Sequence, residues 1–227
     1  MIYWVDQGRG DQPARQVIRR STDEGDTQMF DRLDKFQPFD LVIDPTSRSL
    51  FWSCMETNTI NVTRVGSDLV PVGSIMAGND GRRPRFLALH PTAQQLFFSV
   101  ARERSADEGG DRIEVIDLRT GLDKTIVNAS IGAVSAMTVD WALDGDLFWA
   151  DITLKKIEAV SRDGQHRRVV VSEGIVEIVG LSVQVFIAAQ DVFPISIASS
   201  SVITSIDNSI IPNFRIHGCI GLTEIRV

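Results

Sequence analysis

An aromatic pair recurs along this chain at a spacing that few folds can accommodate. Tyr3-Trp4-Val5-Asp6, Leu50-Phe51-Trp52-Ser53, Leu96-Phe97-Phe98-Ser99 and Phe148-Trp149-Ala150-Asp151 put the second aromatic at positions 4, 52, 98 and 149, steps of 48, 46 and 51 residues. A period of about 40–50 residues made of short strands and turns is the signature of a β-propeller. A helical solenoid of similar period needs 3.6-residue apolar periodicity, and no useful length of it occurs here.

The flanking segments repeat with the pair. An inner strand precedes it: Asp40-Leu41-Val42-Ile43-Asp44-Pro45, Phe86-Leu87-Ala88-Leu89-His90-Pro91 and Ala136-Met137-Thr138-Val139-Asp140. Its nearly continuous apolar character predicts burial on both faces. A third strand follows the pair at Gln16–Arg20, Thr59–Arg64, Arg112–Asp117 and Lys156–Val160. These alternate apolar with polar residues, which predicts half-exposed strands with the polar side chains outward. Turns are expected at Asp23-Glu24-Gly25, Val65-Gly66-Ser67, Arg119-Thr120-Gly121 and Arg162-Asp163-Gly164. With Arg168–Val171 as a fourth strand, the copy beginning at Ala136 packs four strands into 36 residues, one propeller blade. The chain thus reads as all-β, a partial propeller of the six-bladed type with four to five blades, at about 1–34, 35–79, 80–130 and 131–174.

Physics explains the recurrence. A four-stranded blade cannot bury both faces alone and must stack on its neighbours. An aromatic side chain buries on the order of 150–250 Å² and dominates such an interface. Acids at strand ends accept backbone N–H groups from tight turns. Tyr3, Trp4, Asp6, Asp44, Trp52, Asp140, Trp149 and Asp151 are therefore expected to be scaffold.

The net charge of −7, without any Lys/Arg-rich block, argues against nucleic-acid binding, and no apolar run is long enough to span a bilayer. The chain opens directly on a strand, without a signal-peptide pattern. Cys54 and Cys219 are too few for a disulfide framework or a zinc site, and two isolated thiols or one bond both fit. His90, His166 and His217 lack metal-ligand spacing, and no catalytic constellation or cofactor motif stands out, so no catalytic, cofactor or metal residue is assigned.

These repeats resemble the YWTD repeat of low-density-lipoprotein-receptor-type propellers: an inner strand ending in Asp, an aromatic pair followed by Thr-Asp, an Ile-rich strand and a Leu-Asp-Gly turn. The resemblance covers residues 1 to about 183. A narrower likeness lies in Phe51-Trp52-Ser53-Cys54-Met55-Glu56-Thr57-Asn58-Thr59-Ile60-Asn61-Val62-Thr63-Arg64, which is similar to the fourth propeller of the arrow-type Wnt co-receptors, with Cys54 in place of the motif acid. Arg83-Pro84-Arg85 and Asp40-Leu41 before Ile43-Asp44 fit it too. The third copy departs from the pattern: Val100 replaces the acid, His90 replaces the inner-strand Asp, and Arg102–Asp111 is an insertion. Beyond 183 the pattern degrades. Pro194 follows Phe193 where a second aromatic is due. Residues 184–227 read as a divergent fifth blade, with Val202–Ile206 echoing a third strand, or as sequence foreign to the propeller.

The resemblance implies an extracellular ligand-binding module of a single-pass receptor at the plasma membrane, without enzymatic activity. Its partners would be Wnt proteins, Dickkopf-type antagonists and the receptor's other ectodomain modules. Glu56, Arg83, Arg85, Arg102 and Arg104 are candidate ligand-face residues because loops on a rigid scaffold carry recognition. Asn61-Val62-Thr63 and Asn128-Ala129-Ser130 are glycosylation sequons at Asn61 and Asn128, consistent with a secretory route. An endocytic lipoprotein-type receptor or basement-membrane protein is the alternative. A metal-dependent propeller hydrolase is more remote, because Asp44 and Asp140 recur once per repeat rather than marking a unique site.

Overall fold

The computed structural model describes residues 3–6, 17–21, 27–29, 37–66, 69–76, 80–102, 110–141, 145–175, 178, 180–182, 186–187, 192–193, 196–199, 215–218 and 225–226. Among them there are strands and turns but no α-helix. The first sheet holds β1 (Tyr3–Asp6), β2 (Val17–Ser21) and β3 (Thr27–Met29). The second holds β4 (Pro38–Asp44), β5 (Ser49–Cys54), β6 (Thr59–Val65) and β7 (Leu69–Met76). The third holds β8 (Pro84–His90), β9 (Gln95–Val100), β10 (Arg112–Asp117) and β11 (Asp123–Val127). The fourth holds β12 (Val134–Val139), β13 (Leu147–Asp151), β14 (Lys156–Val160) and β15 (Arg167–Val171). In each the strands pair antiparallel in chain order. This is the blade meander, and its repetition makes the fold a partial propeller.

The aromatic pair explains how the blades stack. Adjacent strand residues point to opposite faces, so the two aromatics serve two interfaces. Trp52 packs back onto the first sheet with Ile18, Tyr3 and Leu50. Phe51 packs forward, with Leu87, Leu96 and Phe98 of the third sheet. Phe97 and Trp149 meet in the next interface, with Ile113, Val127, Met137 and Leu147. β5, β9 and β13 thus each contribute to the apolar layer on either side of their sheet.

Two expectations about the strands need correction. The inner strands β4 and β12 are not buried throughout: much of β4 is half-buried, because the inner strands border a central cavity of about 590 Å³ lined by Leu41, Ile43, Leu87, Leu89, Met137 and Val139 among others. Nor do the third strands turn all their polar residues to solvent. Glu114 and Glu158 are 5% and 3% exposed. Both lie cross-strand from the second aromatic, Glu114 opposite Phe98 and Glu158 opposite Trp149, so they face the interface between blades. There they are held by cations, without which burial would be prohibitive.

After β15 the meander lapses. β16 (Gly180–Ser182) lies beside β12, and Ile178 and Leu181 pack on Ala136, Ala150 and Ile157. β17 (Phe186–Ile187) pairs with β18 (Val192–Phe193) alone. β19 (Ser196–Ser199), β20 (Arg215–Gly218) and β21 (Ile225–Arg226) join β16 in the order β16-β19-β20-β21, with β19 and β20 parallel. A parallel pair is foreign to the blade meander of the four preceding sheets. The Asp23–Gly25 turn, Ser67, Pro194, the 202–206 segment, Arg104 and Cys219 lie outside the described residues.

Candidate ligand-binding face

One end of the propeller gathers the starts of the inner strands, the turns 55–58 and 152–155, the linkers 80–83 and 128–133, and the loop after β9. The same backbone bond closes this end in three blades: Met55 N–H donates to Gln37 O, Ala101 N–H to Arg83 O and Ile152 N–H to Ala133 O, each at 2.9 Å. Every described candidate ligand-face residue lies here.

Arg83 and Arg102 line one groove of about 660 Å³ with Asn58, Gly81, Val100, Ala101 and Arg112. Arg85 stands beside it. Its Nη1 donates to Pro84 O at 2.8 Å and to Asn58 Oδ1 at 3.4 Å. Burial, then the charge of Arg83, pulls its pKa below the usual guanidinium value. Glu56 is exposed in the 55–58 turn. Arg112, not anticipated from the sequence, completes the groove from β10. Reading the 110–113 stretch as the far edge of the 102–111 insertion would have found it, since an insertion must return to the strand it interrupts.

Buried carboxylates anchor the linkers that carry this face. Arg82 Nη1 donates to Glu114 Oε2 at 2.8 Å, its Nε donates to Asp80 Oδ2 at 2.5 Å, and it also pairs with Asp123. Arg112 Nε donates to Glu114 Oε1 at 2.5 Å. In the next blade Arg167 grips Glu158 through Nε at 3.0 Å and Nη2 at 2.8 Å, while its Nη groups donate to the carbonyls of Ala129 and Ser130 in the preceding linker. Lys156 Nζ lies 2.9 Å from the same carboxylate. Asn61 occupies the equivalent place in the second blade, opposite Trp52. It is half-buried, its Nδ2 donates to Thr59 Oγ1 and its Oδ1 accepts from Ser74 Oγ. Asn128 is exposed in the linker before β12.

The acids and aromatics of the repeat are placed as follows. Asp151 is buried; its Oδ2 accepts Gly132 N–H at 2.6 Å and its Oδ1 accepts Thr153 and Leu154 N–H at 3.0 and 2.8 Å. A side chain at Gly132 would collide with Thr153 Cβ at 2.6 Å, so glycine is required there. Asp44 is buried and accepts Thr46 N–H and Ser47 O–H. Burial opposes its charge, and the bonds from Ser47, Thr46 and Gln94 outweigh that and hold it below the ordinary carboxylate range. Asp140 is buried at the end of β12, with its N–H on Asp146 O at 3.0 Å. Trp52 and Trp149 are buried, and Tyr3 and Trp4 are half-buried. Only the backbone of Asp6 is described. His90 reproduces the turn bond of Asp44 by accepting Ala93 N–H at Nδ1, 3.2 Å. Burial, then the charge of Arg162, lowers its pKa. Its ring packs so closely on Gly145 (φ +79°) that a Cβ there would meet it at 2.8 Å.

Cys54 is a buried free thiol packed among Ile18, Leu50 and Trp52. Asp40, half-buried on β4, bridges two blades: its Oδ2 accepts Leu87 N–H at 2.8 Å and its Oδ1 accepts Leu41 N–H at 2.9 Å. Burial pushes its carboxyl up to about 6 against those two bonds. Among the described residues no group of three or more His, Cys, Asp or Glu is placed to hold a metal ion.

Four-stranded meanders, aromatic pairs shared between blades and strand-end acids wired into turns define a YWTD-type β-propeller, of which the described residues form part. The chain is similar to low-density lipoprotein receptor-related protein 5. It is 36% identical to the mouse protein over 198 residues, covering 80% of this chain and 11% of the receptor, and 35% identical to the human protein over 196 residues, with the same coverage of each. It is also 27% identical over 176 residues to the human low-density lipoprotein receptor-related protein 5-like protein, covering 76% of this chain and 62% of that one. No family model matches the chain. Among solved structures, a chain of a nidogen/laminin complex superposes with a TM-score of 0.62 at 17% identity, over 74% of this chain and 62% of that one. A virginiamycin B lyase from Staphylococcus aureus gives 0.51 at 17% identity, over 74% and 53%. These two likenesses concern the fold alone.

Proposed function

We propose that this chain is an extracellular ligand-binding propeller of a Wnt co-receptor, taking Wnt proteins and Dickkopf-type antagonists on the face that carries Glu56, Arg83, Arg85 and Arg102 in Wnt/β-catenin signalling. The observation that carries this reading is the 36% identity to low-density lipoprotein receptor-related protein 5 across 80% of the chain. The face supports it physically, because its linkers 80–83 and 128–133 are anchored by arginines held on the buried carboxylates Glu114 and Glu158 and are therefore preorganised for recognition. On this reading the propeller acts by binding rather than catalysis, at the outer side of the plasma membrane beside the receptor's other modules. Asn128, exposed in a linker, and Asn61, half-buried on β6, are its glycan acceptors. Surface plasmon resonance of the complete propeller against purified Wnt and Dickkopf-type ligands tests the reading. Saturable binding to either supports it; no measurable binding to both, with the fold intact by circular dichroism, refutes it.

A further inference from the structure

We infer that the central cavity is a binding site for a small primary amine, whose ammonium group pairs with Asp40 while its apolar body lies against the inner strands; this role is separate from ligand capture at the blade ends. The cavity of about 590 Å³ lies in the range of about 300–1,000 Å³ typical of ligand pockets. β4, β8, β12 and β16 border it, each the end strand of its sheet. Leu41, Leu89, Val139 and Leu181 supply apolar wall, and the rings of Tyr3, Phe86 and Trp141 supply aromatic surface. Among the described lining residues Asp40 alone carries a formal charge. Its carboxylate accepts the Leu87 and Leu41 N–H groups and pairs with no cation among the described residues. Arg85 of β8 gives its Nη1 to Pro84 O and Asn58 Oδ1 instead. The repeat does not call for an acid at this place. Asp40 stands four residues before Asp44, and Phe86 and Ala136 stand four before His90 and Asp140. Asp40 and Phe86 match in structure too, since their N–H groups donate to Ser53 Oγ and Ser99 Oγ at 3.2 and 3.0 Å. A carboxylate that the scaffold does not require, raised in pKa by burial inside a cavity, marks a candidate binding group.

The class of ligand follows from what these walls can satisfy. An anion is repelled by Asp40, and a neutral apolar molecule would strip water from the carboxylate without pairing it. A hard metal ion needs several oxygen ligands, and among the described residues no group of three or more His, Cys, Asp or Glu is placed to hold one. A primary ammonium presents its N–H donors to the carboxylate in charge-assisted hydrogen bonds, and aromatic rings receive a cation on their faces. Burial pushes the Asp40 carboxyl up to about 6, and Tyr3 is the one other titratable group among the described lining residues. A cation arriving there supplies the compensation that the cavity itself lacks.

The probe is hexylamine, with hexan-1-ol as the neutral control of equal apolar length, titrated calorimetrically into the full chain. At about pH 7.5 the amine should bind about tenfold or more tightly than the alcohol, as expected for a hydrogen bond to a charged group. Asp40→Asn should abolish that preference. In wild type the amine should weaken about tenfold between about pH 7.5 and about pH 5, because a carboxyl with a pKa of about 6 is then mostly protonated, while the alcohol should bind no more weakly. Saturating amine should also lower the pKa of Asp40 read from its carboxyl carbon by nuclear magnetic resonance, the reciprocal of the same coupling. Equal binding of the two probes, amine binding unchanged in Asp40→Asn, or amine binding independent of pH overturns the inference. Tighter binding of Nα-acetyl-lysine methylamide than of hexylamine also overturns it, since the cavity would then take a lysine side chain of a protein partner. The alcohol control and the pH series use wild type, so they decide even where Asp40→Asn does not fold.

Discussion

Trp149 lacks something that its counterpart in the second blade possesses, and the difference predicts a stabilising substitution. Trp52 Nε1–H donates to Thr63 Oγ1 at 3.0 Å inside the blade interface. Trp149 is 0% exposed, and its Nε1 has no hydrogen-bond partner. The register explains why. Thr63 lies opposite Leu50, two residues before Trp52, and the residue opposite Leu147, two before Trp149, is Val160. The acceptor has been replaced by a methyl group. The third blade is consistent at the same two places, with Phe98, which has no donor, and Ile116 opposite Leu96. Val160→Thr should restore the bond. A buried unsatisfied donor costs about 1–3 kcal/mol, and the exchange forfeits one buried methyl, about 0.8 kcal/mol. The net gain should be about 1 kcal/mol. Urea unfolding followed by circular dichroism measures it, and slower exchange of the Trp149 indole proton reports the bond directly. In a Trp149→Phe background the same substitution should instead destabilise by about 1–2 kcal/mol, because the new hydroxyl is buried without a donor. Destabilisation by Val160→Thr in both backgrounds would refute the argument.

Two further outcomes follow from the buried carboxylates. Glu158→Gln removes the charge that Arg167 and Lys156 share and should cost about 3–5 kcal/mol in urea unfolding, as for other broken buried pairs; a loss under 1 kcal/mol would show that the pair is not stabilising. Asp40, with a folded pKa of about 6 against 3.8 in its ordinary environment, binds its proton more tightly when folded, so its contribution to stability declines as pH rises from about 4 to about 6 and is level above that. The full shift corresponds to about 3 kcal/mol, of which about 2 kcal/mol falls between about pH 4.5 and 7.5. Wild type should lose that amount relative to Asp40→Asn over this interval, and a pH-independent difference between the two would refute the burial argument.

The propeller was legible because its signal is a period, and periods survive substitution. Steps of 46 to 51 residues between second aromatics predicted the meanders even where Phe97-Phe98-Ser99-Val100 had lost the acid. What escaped were features in which one residue's environment is set by a distant linker. Glu114 and Glu158 alternate with apolar neighbours as outward-facing residues do, and nothing local announces that Arg82, thirty-two positions earlier, or the carbonyls of Ala129 and Ser130 will neutralise them. Superposing the repeats would have flagged the position, since Asn61, Glu114 and Glu158 all stand opposite the second aromatic. Four hairpin turns likewise end on a left-handed residue that is not glycine, Arg48, Asn58, Gln94 and Lys155, each with φ between 52° and 54°; the glycine-marked turns at Gly121 and Gly164 were the ones a sequence pattern could point to.

The departures from the repeat fall at the end of the blades that carries the candidate contacts. In the fourth blade Asp151 clamps the 152–155 turn and the linker before β12 through three backbone N–H groups. In the second and third blades the same place holds Cys54 and Val100, both buried and neither able to accept those bonds as a carboxylate does. The backbone bonds from Met55 to Gln37 and from Ala101 to Arg83 remain. The turn at 55–58 and the loop after β9 are therefore relieved of the side-chain constraint that fixes their counterpart, while the linker between them is still anchored through Arg82 on Glu114. Those two segments carry Glu56, Asn58 and Arg102, and the linker carries Arg83. Loss of the motif acid and clustering of the candidate contacts thus coincide at one interface: the carboxylate that clamps the turn and linker of the fourth blade is replaced by Cys54 and Val100 at the turn and loop that carry Glu56, Asn58 and Arg102.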